Sequence, residues 1–514
     1  MRTVYRNGRV HTGVDHGGAA SVSASAFVVQ DGTIAWLGAV DDLGTDESAT
    51  VIDLGGAFVT PAFVDAHMHL TATGLTLTGL DLSSATSLGD ALERIERLSR
   101  ASRGRPVIGA GWDERNWPER RPPTAAELDR AAYGGSVYLA RVDAHSAIAS
   151  SSLMAAVPRL ADLAGYAPDG LLTRDANDAV RTAAFAALTP VGVRDAQRAA
   201  LRHAAANGIG AVHEMGGPAI SSAADLESAI ALARDEHVPE VVGYWGELFG
   251  AQAAADLGAR GAAGDLFCDG SLGSHTAALT APYSDRPDTA GALRFETGDL
   301  AVHIEQCIAL GLQAGFHAIG DAAVDQVLDA IQNVSSRLVR VAGVGHRIEH
   351  AEFVRDAARL AASGLVASMQ PLFDATWGGP SGMYAERLGA DRARRLNRFA
   401  DLVGADTSLA FGSDAPVTPM GGWAAVHAAA APTDPTAAIS VRAAFDAHTR
   451  GGHRAAGYAD GGRLEPGAAA TFAVWDTGTT GLDDTGLPRL APGHDLPVCL
   501  ATTVRGRTVY QADK

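Results

Sequence analysis

The stretch TPAFVDAHMHL, residues 60–70, decides how this chain is read. A β-strand alternates its side chains, so His67 and His69 would share one face while Met68 points to the other. Two imidazoles a few ångströms apart on one face can grip a metal ion. The spacing alone is weak evidence. With 17 histidines in 514 residues, about one H-x-H is expected by chance. The rest of the chain has to decide.

Composition narrows the choice. At 47% hydrophobic and 19% charged residues the chain is that of a folded protein, and its length suits two or three domains or one large barrel with appendages. A formal net charge of −18 argues against nucleic acid and anionic membrane surfaces, which need a basic footprint. No run reaches the roughly 18 apolar residues of a membrane span, and MRTVYRNGRVHTG reads as strand and turn rather than leader. Three widely spaced cysteines, Cys268, Cys307 and Cys499, suit a reducing cytoplasm. A cytoplasmic protein with a small-molecule substrate, compatible with a homodimer, is the expectation.

Away from the opening stretch, eight short apolar runs read as strands: AFVDAHMH, GIGAVHEM, EVVGYWGE, GDLFCDG, LQAGFHAIGD, HRIEHAEF, LVASMQP and SLAFGSD. After the first they alternate with helix-periodic segments, the pattern of β/α units, and eight units predict a (β/α)8 TIM barrel. Residues 71–205 are too long for one crossover. They hold a helix with Leu92, Ile95 and Leu98 at near-helical spacing and two further apolar runs, and so predict an insertion after barrel strand 1. Residues 1–58 and 455–514 are rich in strands and turns and predict one small β domain built from both ends, leaving 59–454 for the barrel.

Most of these runs end in residues that bind metal or move protons: His67 and His69, Glu214, Asp265 or Asp269, His317, His350 and Asp414. Strand C-termini of a (β/α)8 barrel converge on one face, so residues 350 positions apart would meet. Singly each has a plainer role. His317 could be a core histidine, Asp414 and Asp321 could be helix caps, and Glu214 better suits a supporting position. In HRIEHAEF, His350 lies nearest the strand end, whereas Arg347 and Glu349 suit an ion pair. Together, four histidines and an aspartate suit metal-assisted hydrolysis: the ion lowers the pKa of a water and a carboxylate moves its proton.

The ordered motifs PAFVDAHMHL, GAGWDERNW, ARVDAHSA, DGSLGSHTAAL, FHAIGDAAVDQVLDA, HRIEHAEFV, SMQPLFDATW and FGSDAPV resemble the amidohydrolase superfamily, in its amidohydrolase-3 (YtcJ-like) branch. The resemblance implies a hydrolase that cleaves a non-peptide C–N bond of a small molecule, attacking with metal-activated water and using Asp414 as general base. It implies His67, His69 and His317 as metal ligands, Asp414 as ligand and base, and His350 as ligand of a second ion or as a group polarising the carbonyl. It also implies a β-sandwich made by the chain ends. Zinc is the expected ion.

One departure matters. The family commonly places a carboxylated, metal-bridging lysine four residues before the DG of DGSLGS; here Asp265 stands there, and the sole lysine is Lys514. Three arrangements stay open: one ion held by His67, His69, His317 and Asp414; two ions bridged by a carboxylate such as Asp265 or Glu214; or a degraded site. The first is the expectation. The alternatives to an amidohydrolase are an inactive ligand-binding or regulatory barrel and a single-metal deaminase or esterase. For substrate, the insertion offers Trp112, Asp113, Arg141, Asp143 and His145, and the loop after strand four offers His275, where relatives often have arginine.

Overall fold

The computed structural model describes the chain except residues 1, 15–23, 45–48, 103–105, 336–344, 492, 494 and 514. Eight parallel strands form its centre: Phe63–Met68, Ile209–Gly216, Glu240–Trp245, Gly261–Ala262, Gln313–Ala318, Arg347–His350, Val366–Met369 and Leu409–Phe411, neighbouring one another in that order. The first and last strands are stitched together past their ends. Met68 bridges Ala415, the Asp414 N–H donates to the His67 carbonyl at 2.7 Å, and Asp65 accepts from the Ser413 N–H at 2.8 Å. Gly412 permits this approach, because a Cβ there would stand 2.5 Å from the His67 nitrogen. The chain is a TIM barrel.

The fourth strand differs from expectation. It is only Gly261–Ala262, so GDLFCDG, expected as strand, runs past its end. Gly264 stands at the break with φ +91°, where a Cβ would meet the Met215 sulfur at 2.7 Å. Beyond it Phe267 again bridges His317, so Asp265 sits in a bulge beside the fifth strand.

Both chain ends are β-structured beside the barrel. Phe58–Pro61 pairs antiparallel with Phe472–Asp476, joining residues more than 400 positions apart in one five-stranded sheet with Arg9–Val10, Val498–Val504 and Arg507–Gln511. A four-stranded sheet of N-terminal residues covers it, and Tyr5, Phe27 and Phe472 pack their rings between the two, with centroids 4.7–5.1 Å apart.

The insertion after the first strand contains its own five-stranded sheet, from Leu80–Asp81 to Leu171–Thr173. The expected helix is Leu88–Ser102; Ile95 and Leu128 pack against Trp112, Trp117 and Leu139 in a separate core. The last helix of the span, Pro190–Ala206, packs instead on the barrel through Ala200, Leu201 and Ala204. The lobe roofs the strand C-termini. Among the described residues no helix is long and apolar enough to cross a membrane.

Candidate metal centre

His67, on the fully buried first strand, and His69, one residue beyond it, point into the mouth from one face, as the alternation predicts. Around them stand His317 from the fifth strand, His350 from the sixth and Asp414 after the eighth. Asp265 lies in the middle. Its Oδ1 is 3.4 Å from His67 Nε2, 3.4 Å from His317 Nδ1 and 3.5 Å from His350 Nε2, and its Oδ2 is 3.1 Å from His69 Nε2. Asp414 Oδ1 lies 3.1 Å from His69 Nε2 and 3.6 Å from His67 Nε2.

Two donor groups share that one carboxylate: His67, His69, Asp265 and Asp414 on one side, and Asp265, His317 and His350 on the other. The single-ion expectation grouped His317 with His67, His69 and Asp414; here His317 stands with Asp265 and His350. Strands five and six are neighbours, so His317 and His350 stand together across Asp265 from the pair on strand one. Ala262 pairs with Ala314 and Phe267 with His317, so two extra residues bulge between them, and Asp265 lies in that bulge.

Each imidazole is fixed through one nitrogen and offers the other. His67 Nδ1 bonds Glu349 at 2.9 Å, His69 Nδ1 the Met215 carbonyl at 3.1 Å, His350 Nδ1 the Gln370 amide oxygen at 2.8 Å, and His317 Nε2 the Gly270 carbonyl at 3.2 Å. Such partners set tautomer and ring direction in metal sites. Glu349 is in turn held by buried Arg347, at 2.7 and 3.0 Å, the ion pair expected for these residues. Glu214 accepts from the Leu70 N–H at 2.6 Å and shapes the turn after His69. Asp269, the alternative to Asp265, spends its carboxylate on the backbone N–H groups of Ala278, Ile319 and Gly320.

The electrostatics favour a cation. Burial works against a charged His69, yet the Asp265 and Asp414 carboxylates beside it override this and push the imidazole up to about 10. Burial works against an ionised Asp265, yet the surrounding histidines hold its carboxyl well below the usual range. His67 Nε2 and Asp414 Oδ1 are buried with no hydrogen-bond partner among the described residues. Orphaned donors of this kind, with four free imidazole nitrogens turned on one carboxylate, fit divalent metal binding. The backbone is strained here too: His350 and Asp414 sit at φ +69° and +54°, a conformation that costs about 1–3 kcal/mol where it persists in a non-glycine residue.

A cavity opens between lobe and barrel, lined by His69, His350 and Asp414 below and by Arg141, Asp143 and His145 above. The other substrate-binding expectations are corrected. Trp112 is buried in the lobe core with its Nε1–H donated to the Leu139 carbonyl at 2.8 Å. Asp113 is consumed by Arg115 and Arg141, at 2.7 and 3.3 Å. His275 bonds Asp285 at 2.9 Å and lines a separate cleft. Arg141 reaches the cavity already paired with Glu114 and Asp143, and Arg181 beside it donates to the carbonyls of Ala144 and Ala219. A second, smaller arm lined by Glu352, Phe373, Trp377, Met383 and Tyr384 also touches His350 and Asp414; sequence reading passed over it, although SMQPLFDATW and HRIEHAEFV contain much of its wall.

Known proteins resemble the chain over most of its length. The family model described as Amidohydrolase family matches residues 50–510. The YtcJ protein of Bacillus subtilis, an amidohydrolase by name, is 28% identical over 467 residues, 82% of each chain. The N-substituted formamide deformylase of Arthrobacter pascens is 27% identical over 509 residues, 89% of this chain and 91% of its own. The crystal structure of an uncharacterized metal-dependent hydrolase from Pyrococcus furiosus matches with a TM-score of 0.73 at 28% identity, over 94% of this chain and 100% of its own.

Proposed function

The chain belongs to the amidohydrolase family, and we propose that it hydrolyses a non-peptide amide of a small molecule with divalent metal that His67, His69, Asp265, His317, His350 and Asp414 would hold. A metal-dependent hydrolase of carbon–nitrogen bonds follows from that membership. The observation supporting two ions is the central carboxylate shared by two donor groups. His67, His69, Asp265 and Asp414 would hold one ion, and Asp265, His317 and His350 the other. Zinc suits this mixture of imidazole and carboxylate.

When bound, the ions supply Lewis acidity, lowering the pKa of a water and polarising the scissile carbonyl. The protein's own part is positioning and proton transfer. Asp414 lines both arms of the cavity beside His69, where it takes the proton of the attacking water and passes it to the leaving nitrogen. Arg347 and Glu349 hold the His67 ring; Gln370 holds that of His350. The roof residue His145 lines both arms, and hydrogen-bonds the substrate there. Because Arg141 and Arg181 are already engaged, the site suits neutral or cationic amides better than anionic ones.

The test pairs metal analysis with amine release from an amide panel, led by N-substituted formamides because one relative is named for them. Amine release that chelation abolishes and Asp414→Asn removes supports the reading. Hydrolysis indifferent to both contradicts it.

A further inference from the structure

The smaller arm of the cavity has its own chemistry. Phe373, Trp377 and Tyr384 form its walls, with ring centroids 4.8 Å apart for the first pair and 6.3 Å for the second. Phe373 also stacks parallel to the His350 ring, so the aromatic wall continues into the metal centre. Set in this wall is Glu352, 4% exposed. Its Oε2 accepts from the Tyr384 hydroxyl at 2.5 Å, the one side chain that hydrogen-bonds it among the described residues. The other oxygen is left for a ligand. Asp414 lines the same arm, and neither lysine nor arginine does among the described residues.

A buried carboxylate without a cationic partner is costly, and an occupant that brings positive charge relieves the cost. Aromatic faces around one carboxylate are the recognition chemistry of an ammonium group, which gains a charge-assisted hydrogen bond and cation–π attraction together. An anionic occupant would meet the Glu352 carboxylate with neither lysine nor arginine lining the arm to offset it. A plain hydrocarbon would leave the Glu352 oxygen buried and unpaired.

We infer that the smaller arm is a subsite for an alkylammonium group, held by Glu352 and the faces of Phe373, Trp377 and Tyr384. Resting on amide hydrolysis at the adjoining centre, this makes the substrates amides that carry a free amine close to the scissile bond.

Calorimetric titration of the metal-loaded protein with n-butylammonium and with 1-butanol tests this without turnover. The subsite predicts that the ammonium binds at least about tenfold more tightly than the alcohol, and that Glu352→Gln removes the preference at unchanged metal content per chain. Trp377→Leu, which keeps the carboxylate, weakens the ammonium and narrows the difference. Equal binding of the two probes, or a preference that survives both substitutions, overturns the subsite. Metal content and amide turnover, read on the same samples, keep the two proposals apart: an ammonium preference in a protein that takes up no metal sustains the subsite and defeats only the hydrolytic reading.

Discussion

The backbone of Asp265 lies directly against Gly246: a Cβ on that glycine would stand 2.9 Å from the Asp265 carbonyl carbon. The contact is with main chain, which cannot rotate aside, so Gly246→Ala must move Asp265. Overpacking of this kind costs about 1–3 kcal/mol. The expected result is a lower melting temperature together with reduced metal content. Full metal occupancy in this variant would show that the position of Asp265 is not critical.

Gln370 fixes the ring of His350 without reaching the centre itself. Gln370→Leu should therefore keep the fold and weaken metal binding by about 10–100-fold, the usual effect of losing such a partner. Competition with a chelator of known affinity measures it. Unchanged affinity would mean that packing against Phe373 suffices to aim the ring.

Removing the proton acceptor should separate chemistry from folding. Asp414→Asn is expected to lower amide hydrolysis by about 10²–10⁴-fold, with thermal stability nearly unchanged. Trp112→Ala should do the reverse, costing about 3–5 kcal/mol through the lobe core while the metal content holds. A Trp112 variant as stable as wild type would restore it as a candidate cavity wall.

His11 contributes to acid sensitivity away from the metal centre. His11 is buried with neither ring nitrogen hydrogen-bonded among the described residues. Burial, reinforced by Arg442 and opposed by Asp483, lowers it from 6.5 to about 4. The unfolded chain therefore binds a proton below 6.5 that the folded chain refuses until about 4. Stability falls as pH drops through that window, by up to about 3 kcal/mol. His11→Phe should flatten the pH dependence of the melting temperature there; an unaltered slope would assign it to other groups.

Much of this architecture was legible because strand-end chemistry converges in a barrel. His67, His69, His317, His350 and Asp414 could be gathered from sequence for that reason alone. Which of them stand together was harder to read, since it depends on the approach of neighbouring strands and on Asp265 lying between them. The placement of Asp265 was invisible: it lies in a two-residue bulge next to the left-handed Gly264, with its backbone against Gly246. Trp112 read as a cavity wall because it ends an apolar run, but its indole N–H finds its partner inside the lobe. Glu352 was overlooked because a carboxylate two residues beyond His350 reads as ordinary loop, and only the aromatic wall opposite gives it a role.

Asp265 is the carboxylate shared by both donor groups, and would serve as ligand to each of two ions. Metal content per chain, measured on wild type and on Asp265→Ala after loading with zinc and removal of the excess, tests it most directly. The account predicts two ions in the wild type and loss of at least one in the variant. A single ion in the wild type, retained in Asp265→Ala, would contradict it.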